Sequence, residues 1–192
     1  MREEVVKGYV KAGEIAKKVR SEAISSILKG ERDVERLCER IERKIRELGA
    51  EPAFPLNVGI NEVAAHYSPY PGDEISIPED GVVKVDLGVK LGDYIVDTAA
   101  TVDLSGKHED LVECTREALR RAVERVMHGV KASDIGWEVE KTARSRGFKP
   151  IENLSGHLIK GGVLHAGKSI PNVKTLFSDR LEEGEVLSLI HI

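Results

Sequence analysis

Val82-Val83-Lys84-Val85-Asp86-Leu87-Gly88-Val89-Lys90-Leu91-Gly92-Asp93-Tyr94-Ile95-Val96-Asp97-Thr98-Ala99-Ala100-Thr101-Val102-Asp103-Leu104 is the stretch that decides the fold. Two β-branched runs, Val82 to Val89 and Tyr94 to Leu104, flank a turn that carries Gly92, the pattern of an antiparallel hairpin. Asp is a poor strand former, yet each run holds one, Asp86 and Asp97. A two-residue loop at Leu91-Gly92 predicts that Asp86 stands directly opposite Asp97, with Cβ atoms roughly 4.5–5.5 Å apart. Two carboxylates that close repel each other and raise a pKa. A divalent cation between them removes the repulsion. The alternative is that both side chains face solvent or bind Lys84 and Lys90. Asp93 and Asp103 sit at strand ends, where acidic residues are ordinary.

Outward from the hairpin, apolar residues recur at helical spacing. Val5, Tyr9, Ala12, Ile15, Ala16 and Val19 predict one helix over 3–29. Asp33 caps a second, whose stripe is Val34, Leu37, Ile41 and Ile45 and whose stop is Gly49. Strand-like sequence runs from Phe54 to Ile60, and Pro69, Pro71, Gly72 and Pro78 make 68–80 turn-rich. Helices follow at 108–128 and at 133–147, the latter capped by Ser133. Helices packed on a mostly antiparallel sheet make the fold class α+β. One internal echo stands out. Ile77-Pro78-Glu79-Asp80-Gly81-Val82-Val83 is similar to Leu181-Glu182-Glu183-Gly184-Glu185-Val186-Leu187, an acidic turn feeding an apolar strand. If the two are related, the fold has two similar halves and Asp86 corresponds to Ile190.

The chain of 192 residues is long enough for a real core. Its 29 basic and 33 acidic residues give a net charge of −4. That balance argues against a general nucleic-acid binder, which carries a basic excess. Cys38 and Cys114 are too few for a disulfide framework or a Cys-rich zinc site. No apolar run is long enough to span a membrane, and the N-terminus lacks the apolar segment of a signal peptide. The expected location is therefore the cytoplasm.

Six histidines are present. His108 and His128 end a charged helix and are expected to face solvent. His66 precedes the turn-rich segment. His157 follows Gly156, and His165 precedes Ala166-Gly167, small neighbours that allow close approach. Together with two aspartates they suggest mixed nitrogen and oxygen ligation of a first-row metal. Residue types alone name no reaction.

At these residues the chain resembles the type 2 methionine aminopeptidases, in the short archaeal form. The resemblance runs from about Lys11 to Val186. It is carried by Pro52-Ala53-Phe54-Pro55, Ile60-Asn61-Glu62-Val63-Ala64-Ala65-His66-Tyr67-Ser68-Pro69-Tyr70, Lys84-Val85-Asp86-Leu87-Gly88, Val96-Asp97-Thr98-Ala99, Asn153-Leu154-Ser155-Gly156-His157 and Leu164-His165-Ala166-Gly167. Ala65-His66-Tyr67 favours type 2. The resemblance implies the pita-bread fold, two pseudo-symmetric halves around a dinuclear metal site. It implies that Asp86 chelates one metal, Asp97 bridges both and His157 binds the other. It assigns His66 to contacts near the scissile amide, His165 to the substrate backbone or the attacking water, and Phe54 to the methionine pocket. The cofactors implied are two divalent ions, of Co, Mn, Fe, Zn or Ni. The implied substrates are N-terminal Met peptides of nascent proteins. The ribosome is expected as a further partner, and the full-length protein is expected to be a monomer.

The family site also uses two glutamates. One falls at the position of Ile190 and the other lies downstream of this sequence, so three of five protein ligands are expected here. The first half of the fold is expected to be complete and the second half truncated. The DNA string CTG TCT CTT ATA CAC ATC, which resembles the end of a transposase adaptor from sequencing libraries, would encode all six residues of Leu187-Ser188-Leu189-Ile190-His191-Ile192. Residues 1–186 are therefore read as a partial catalytic domain and 187–192 as a non-native tail, with His191 no ligand. A chain so composed is expected to be inactive and aggregation-prone. Two rivals stand beside this reading: a metal-free homologue that binds proteins or ribosomes, and a related peptidase with proline specificity.

Overall fold

Arg2–His108 and the residues from Glu109 onward form two units, each a helix pair leading into an antiparallel sheet. These are described by a computed structural model that covers residues 2–190; His191 and Ile192 lie outside the described residues.

In the first unit, α1 is Glu3–Leu28 and α2 is Val34–Glu47. The Asp33 side chain accepts a hydrogen bond from the Arg36 N–H at 2.8 Å, so it caps α2 as its sequence predicts. Val34, Leu37, Ile41 and Ile45 are buried, as is Cys38. The sheet consists of β1 (Glu51–Pro52), β2 (Asn57–Ile60), β3 (Val82–Leu91) and β4 (Tyr94–Asp103). β4 pairs with β3 along its whole length. β1 and β2 share the other edge of β3, at Val89–Lys90 and Val83–Asp86 respectively. Phe54 lies in the bend between them, not in a strand as its sequence suggests. Val83, Val85, Leu87 and Val89 point into a core with Val19, Ala23, Ile27, Leu37 and Ile41. Each Val, Leu or Ile side chain among these contributes about 1.5–3 kcal/mol on burial. Strand alternation therefore turns Lys84, Asp86 and Gly88 to the opposite face.

The hairpin register differs from the one expected. The two-residue loop is Gly92-Asp93, with Leu91 paired to Tyr94. Gly92 has φ +62° and occupies the first loop position, where type II′ turns place glycine. Asp86 is thus opposite Ala99, and Asp97 is opposite Gly88. The change preserves parity, so the two carboxylates share one face as diagonal neighbours.

In the second unit, α3 is Glu109–Arg125 and α4 is Ala132–Ser145. Ser133 is not the cap of α4. It lies within the first turn, and its N–H donates to Ser178 Oγ at 3.1 Å. β5 (Ser155–Ile159) stands between β6 (Ser169–Pro171) and β7 (Val186–Ser188). Ala122, Val130, Ala132, Ile135, Ile170 and Leu181 form the core. The echo has a structural counterpart. β3 begins at Val82 and β7 at Val186, the residues that match, and each pairs antiparallel with an earlier strand of its own unit. Among the described residues no helix is long and apolar enough to cross a membrane.

Candidate active site

Asp86 is only 7% exposed and Lys84 equally so, which excludes a solvent-facing role for either. Directly across from each carboxylate stands a residue with little or no side chain, Ala99 for Asp86 and Gly88 for Asp97. The space at Gly88 is taken by Phe54. A Cβ placed on Gly88 would lie 2.5 Å from the Phe54 ring. The bend at 53–56 places that ring there, with the Ala53 N–H donating to the Gly88 carbonyl at 3.0 Å. An apolar ring and two carboxylates thus share one sheet face.

On the other side of Asp86, β2 sets Asn57 directly opposite. Ser68 Oγ lies 2.8 Å from the Asn57 side-chain oxygen, and the Val58 N–H donates to the Tyr67 carbonyl at 2.8 Å. These bonds hold the segment 66–68 along the outer edge of β2. His66 heads that segment, exposed, with φ +63°. A non-glycine residue in the left-handed region is uncommon and is found disproportionately at functional sites. Tyr67 donates its hydroxyl to Asp73. That bond pushes the phenol up to about 12 and holds the Asp73 carboxyl below its ordinary value.

His157 and His165 belong to the second unit. The loop after β5 folds back, with the Ala166 N–H donating to the Leu158 carbonyl at 2.8 Å. The two imidazoles lie 4.2 Å apart between ring centroids, tilted by 58°. His157 is half-buried and His165 exposed; His108 and His128 are exposed, as expected.

The structure therefore gathers the predicted residues in two sets: Phe54, Asp86 and Asp97 with His66 at the sheet edge, and His157 with His165. Among the described residues no group of three or more His, Cys, Asp or Glu is assembled as a metal cage. The donor chemistry of the first unit nonetheless fits a divalent ion, because two carboxylates on one face beside small neighbours offer hard oxygen ligands. Lys84, which the sequence offers as an alternative partner of the two aspartates, is buried beside Asp86 on the same strand face. It shares the parity of Asp86, and that was the available signal. Burial pushes its ammonium down from the ordinary lysine value, while the charges of Asp86 and Asp97 act to raise it.

Comparison with known proteins extends this picture. The chain is 48% identical over 181 residues to a methionine aminopeptidase of Thermococcus onnurineus, an alignment covering 94% of this chain and 61% of that protein. The chain thus spans about three fifths of the length of the first curated relatives it matches. Among solved structures, a methionine aminopeptidase from Thermotoga maritima superposes with a TM-score of 0.82 at 25% identity, covering 97% of this chain and 78% of that one. A prolidase from Pyrococcus furiosus gives 0.80 at 26% identity, covering 97% and 55%. Both belong with the pita-bread architecture that the paired helices and antiparallel sheets of each unit build. The sequence pattern of one family, Metallopeptidase family M24, matches residues 7–190, a span that includes both carboxylates and the three candidate site histidines, and this chain belongs to that family.

Proposed function

We propose that this chain is part of a metal-dependent methionyl aminopeptidase that removes the initiator methionine from nascent proteins. The observation that carries the reading is the placement of Asp86 and Asp97 on one face of the β3–β4 hairpin. Its support is the likeness to methionine aminopeptidases at 42–48% identity. Asp86, Asp97 and His157 would hold two divalent ions. Such ions lower the pKa of a water, polarise the amide carbonyl and bind a free amine.

The chain's own groups do the rest. The Phe54 ring, fixed over Gly88, receives the methionine side chain, since a thioether packs well against an aromatic edge. His66 donates a hydrogen bond near the scissile amide and stabilises the charge that develops there. His165 holds the substrate backbone or orients the attacking water. The substrates are N-terminal Met peptides presented by nascent chains, the ribosome is a docking partner, and the complete protein acts as a monomer in the cytoplasm.

The rival of proline specificity has the prolidase likeness behind it. Ala65-His66-Tyr67-Ser68-Pro69 favours methionine. A panel of Met-Ala-Ser and Xaa-Pro peptides with added Mn²⁺ decides. Hydrolysis of the Xaa-Pro members alone contradicts the reading. The metal-free binding reading gains first place if calorimetry of the complete protein shows no uptake of Mn²⁺.

A further inference from the structure

Lys84 is buried at 7% exposure, and among the described residues its Nζ makes no hydrogen bond. A buried ammonium is costly unless it is compensated by opposite charge. Its cross-strand neighbours supply none, being Gly59 in β2 and Thr101 in β4. The charges that act on it are those of Asp86, two residues along the same strand face, and Asp97. The cation and Asp86 therefore lie in a place largely closed to water, and the half-buried Asp97 acts on them from the paired strand.

We infer that Lys84 is a built-in counter-ion of the Asp86/Asp97 pair, a positioning residue that keeps both carboxylates together in the absence of a metal ion. Without it, two like charges would face each other on one sheet face. Its positive charge offsets part of that repulsion, and the fold tolerates the unloaded site. The same ammonium opposes an arriving cation. This second consequence rests on the metal-binding reading proposed above; the first does not. Lys84 thus lowers metal affinity while stabilising the metal-free chain. Neither effect requires Lys84 to touch substrate.

The test is a double-mutant cycle on the product of the complete reading frame. Urea unfolding midpoints are measured in EDTA at pH 7 for the parent, Lys84→Met, Asp97→Asn and the double variant. Methionine keeps the length of the buried stem and removes the charge. The expected result is a clear loss for Lys84→Met, little change for Asp97→Asn, and recovery of most of the loss in the double variant. If Lys84→Met does not fold, a folded double variant supports the inference equally. No loss for Lys84→Met, or losses that simply add, overturn it, because then only the stem matters.

Calorimetry with Mn²⁺ reads the second consequence. Removing the opposing charge is expected to tighten binding by about tenfold or more. Equal or weaker binding by Lys84→Met overturns the claim that the ammonium opposes the metal. If no variant binds Mn²⁺ while the coupling in EDTA persists, the counter-ion role stands and the metal reading falls.

Discussion

Asp86 and Asp97 are diagonal neighbours across the β3–β4 hairpin, and each faces a cross-strand partner with almost no side chain, Ala99 and Gly88. Diagonal positions in an antiparallel pair are roughly 7–8 Å apart. That spacing leaves room between the carboxylates that a directly opposed pair would not have. The small partners keep that room from being filled by neighbouring side chains.

Neutralising either carboxylate should therefore remove the metal-dependent chemistry. In the complete enzyme, Asp97→Asn or Asp86→Asn is expected to lower kcat/KM on Met-Ala-Ser by about a hundredfold or more, since ligand and supporting residues each tune affinity and activity by factors of that order. Steady-state assays at fixed Mn²⁺ check this. Activity within threefold of the parent contradicts the assigned roles.

Gly88 has a specific consequence for Phe54. A Cβ at this position would come within 2.5 Å of the ring, so the ring must move. Gly88→Ala is expected to destabilise the first unit by about 1–3 kcal/mol, the usual cost of overpacking. It should also raise KM for methionyl peptides more than it lowers kcat. Urea unfolding and steady-state kinetics read the two effects separately.

The pH dependence of stability has two limbs. The Arg36 hydrogen bond holds Glu31 below its ordinary value, and the Lys174 hydrogen bond does the same for Asp134. A carboxyl depressed in the folded state stabilises fully above its unfolded value, roughly 4, and loses that contribution as pH falls through the folded value. Tyr67 has the opposite sign. Its folded value, pushed up to about 12 by Asp73, means a contribution present below pH 10 and lost as pH rises toward 12. Urea midpoints should decline below pH 4 and above pH 10. Tyr67→Phe should remove the alkaline decline attributable to this group and leave the acid limb in place.

Much of this was legible beforehand because it rests on local chemistry. Asp33 announces the start of α2 through its side-chain oxygen, and the Val34, Leu37, Ile41 and Ile45 stripe announces the buried face. The parity of Asp86 and Asp97 followed from strand alternation. Their register did not, because a Gly92-Asp93 loop and a Leu91-Gly92 loop differ only in where the glycine sits in the turn. The resemblance assigns Phe54 to the methionine pocket, but the bend off the β3 edge that brings its ring to Gly88 is one that no periodicity signals. The burial of Lys84 depends on tertiary cover, which a strand pattern cannot show. Ser133 resembles a cap by type, yet its N–H is taken by Ser178, a residue remote in sequence.

The tail calls for a check of its source. Leu187 and Ser188 pair with Leu158 and His157 in β7, and we propose that the codons after Val186 come from a sequencing adaptor. Re-reading the source DNA past that codon is expected to show a continuing frame with glutamate at position 190 and a second ligand glutamate far downstream. The 192-residue chain itself is then expected to release no methionine at an enzymatic rate and to aggregate on purification. A confirmed stop after Ile192 in clean genomic DNA contradicts this and favours a binding role.

Metal-dependent methionine release is the central claim, and one assay tests it most directly. The product of the complete reading frame is given Met-Ala-Ser with Mn²⁺ and with EDTA, beside its Asp97→Asn variant. The expected result is free methionine with Mn²⁺ only, and none from the variant. Release that persists in EDTA or in Asp97→Asn, or no release from the parent under any metal, would contradict the assignment.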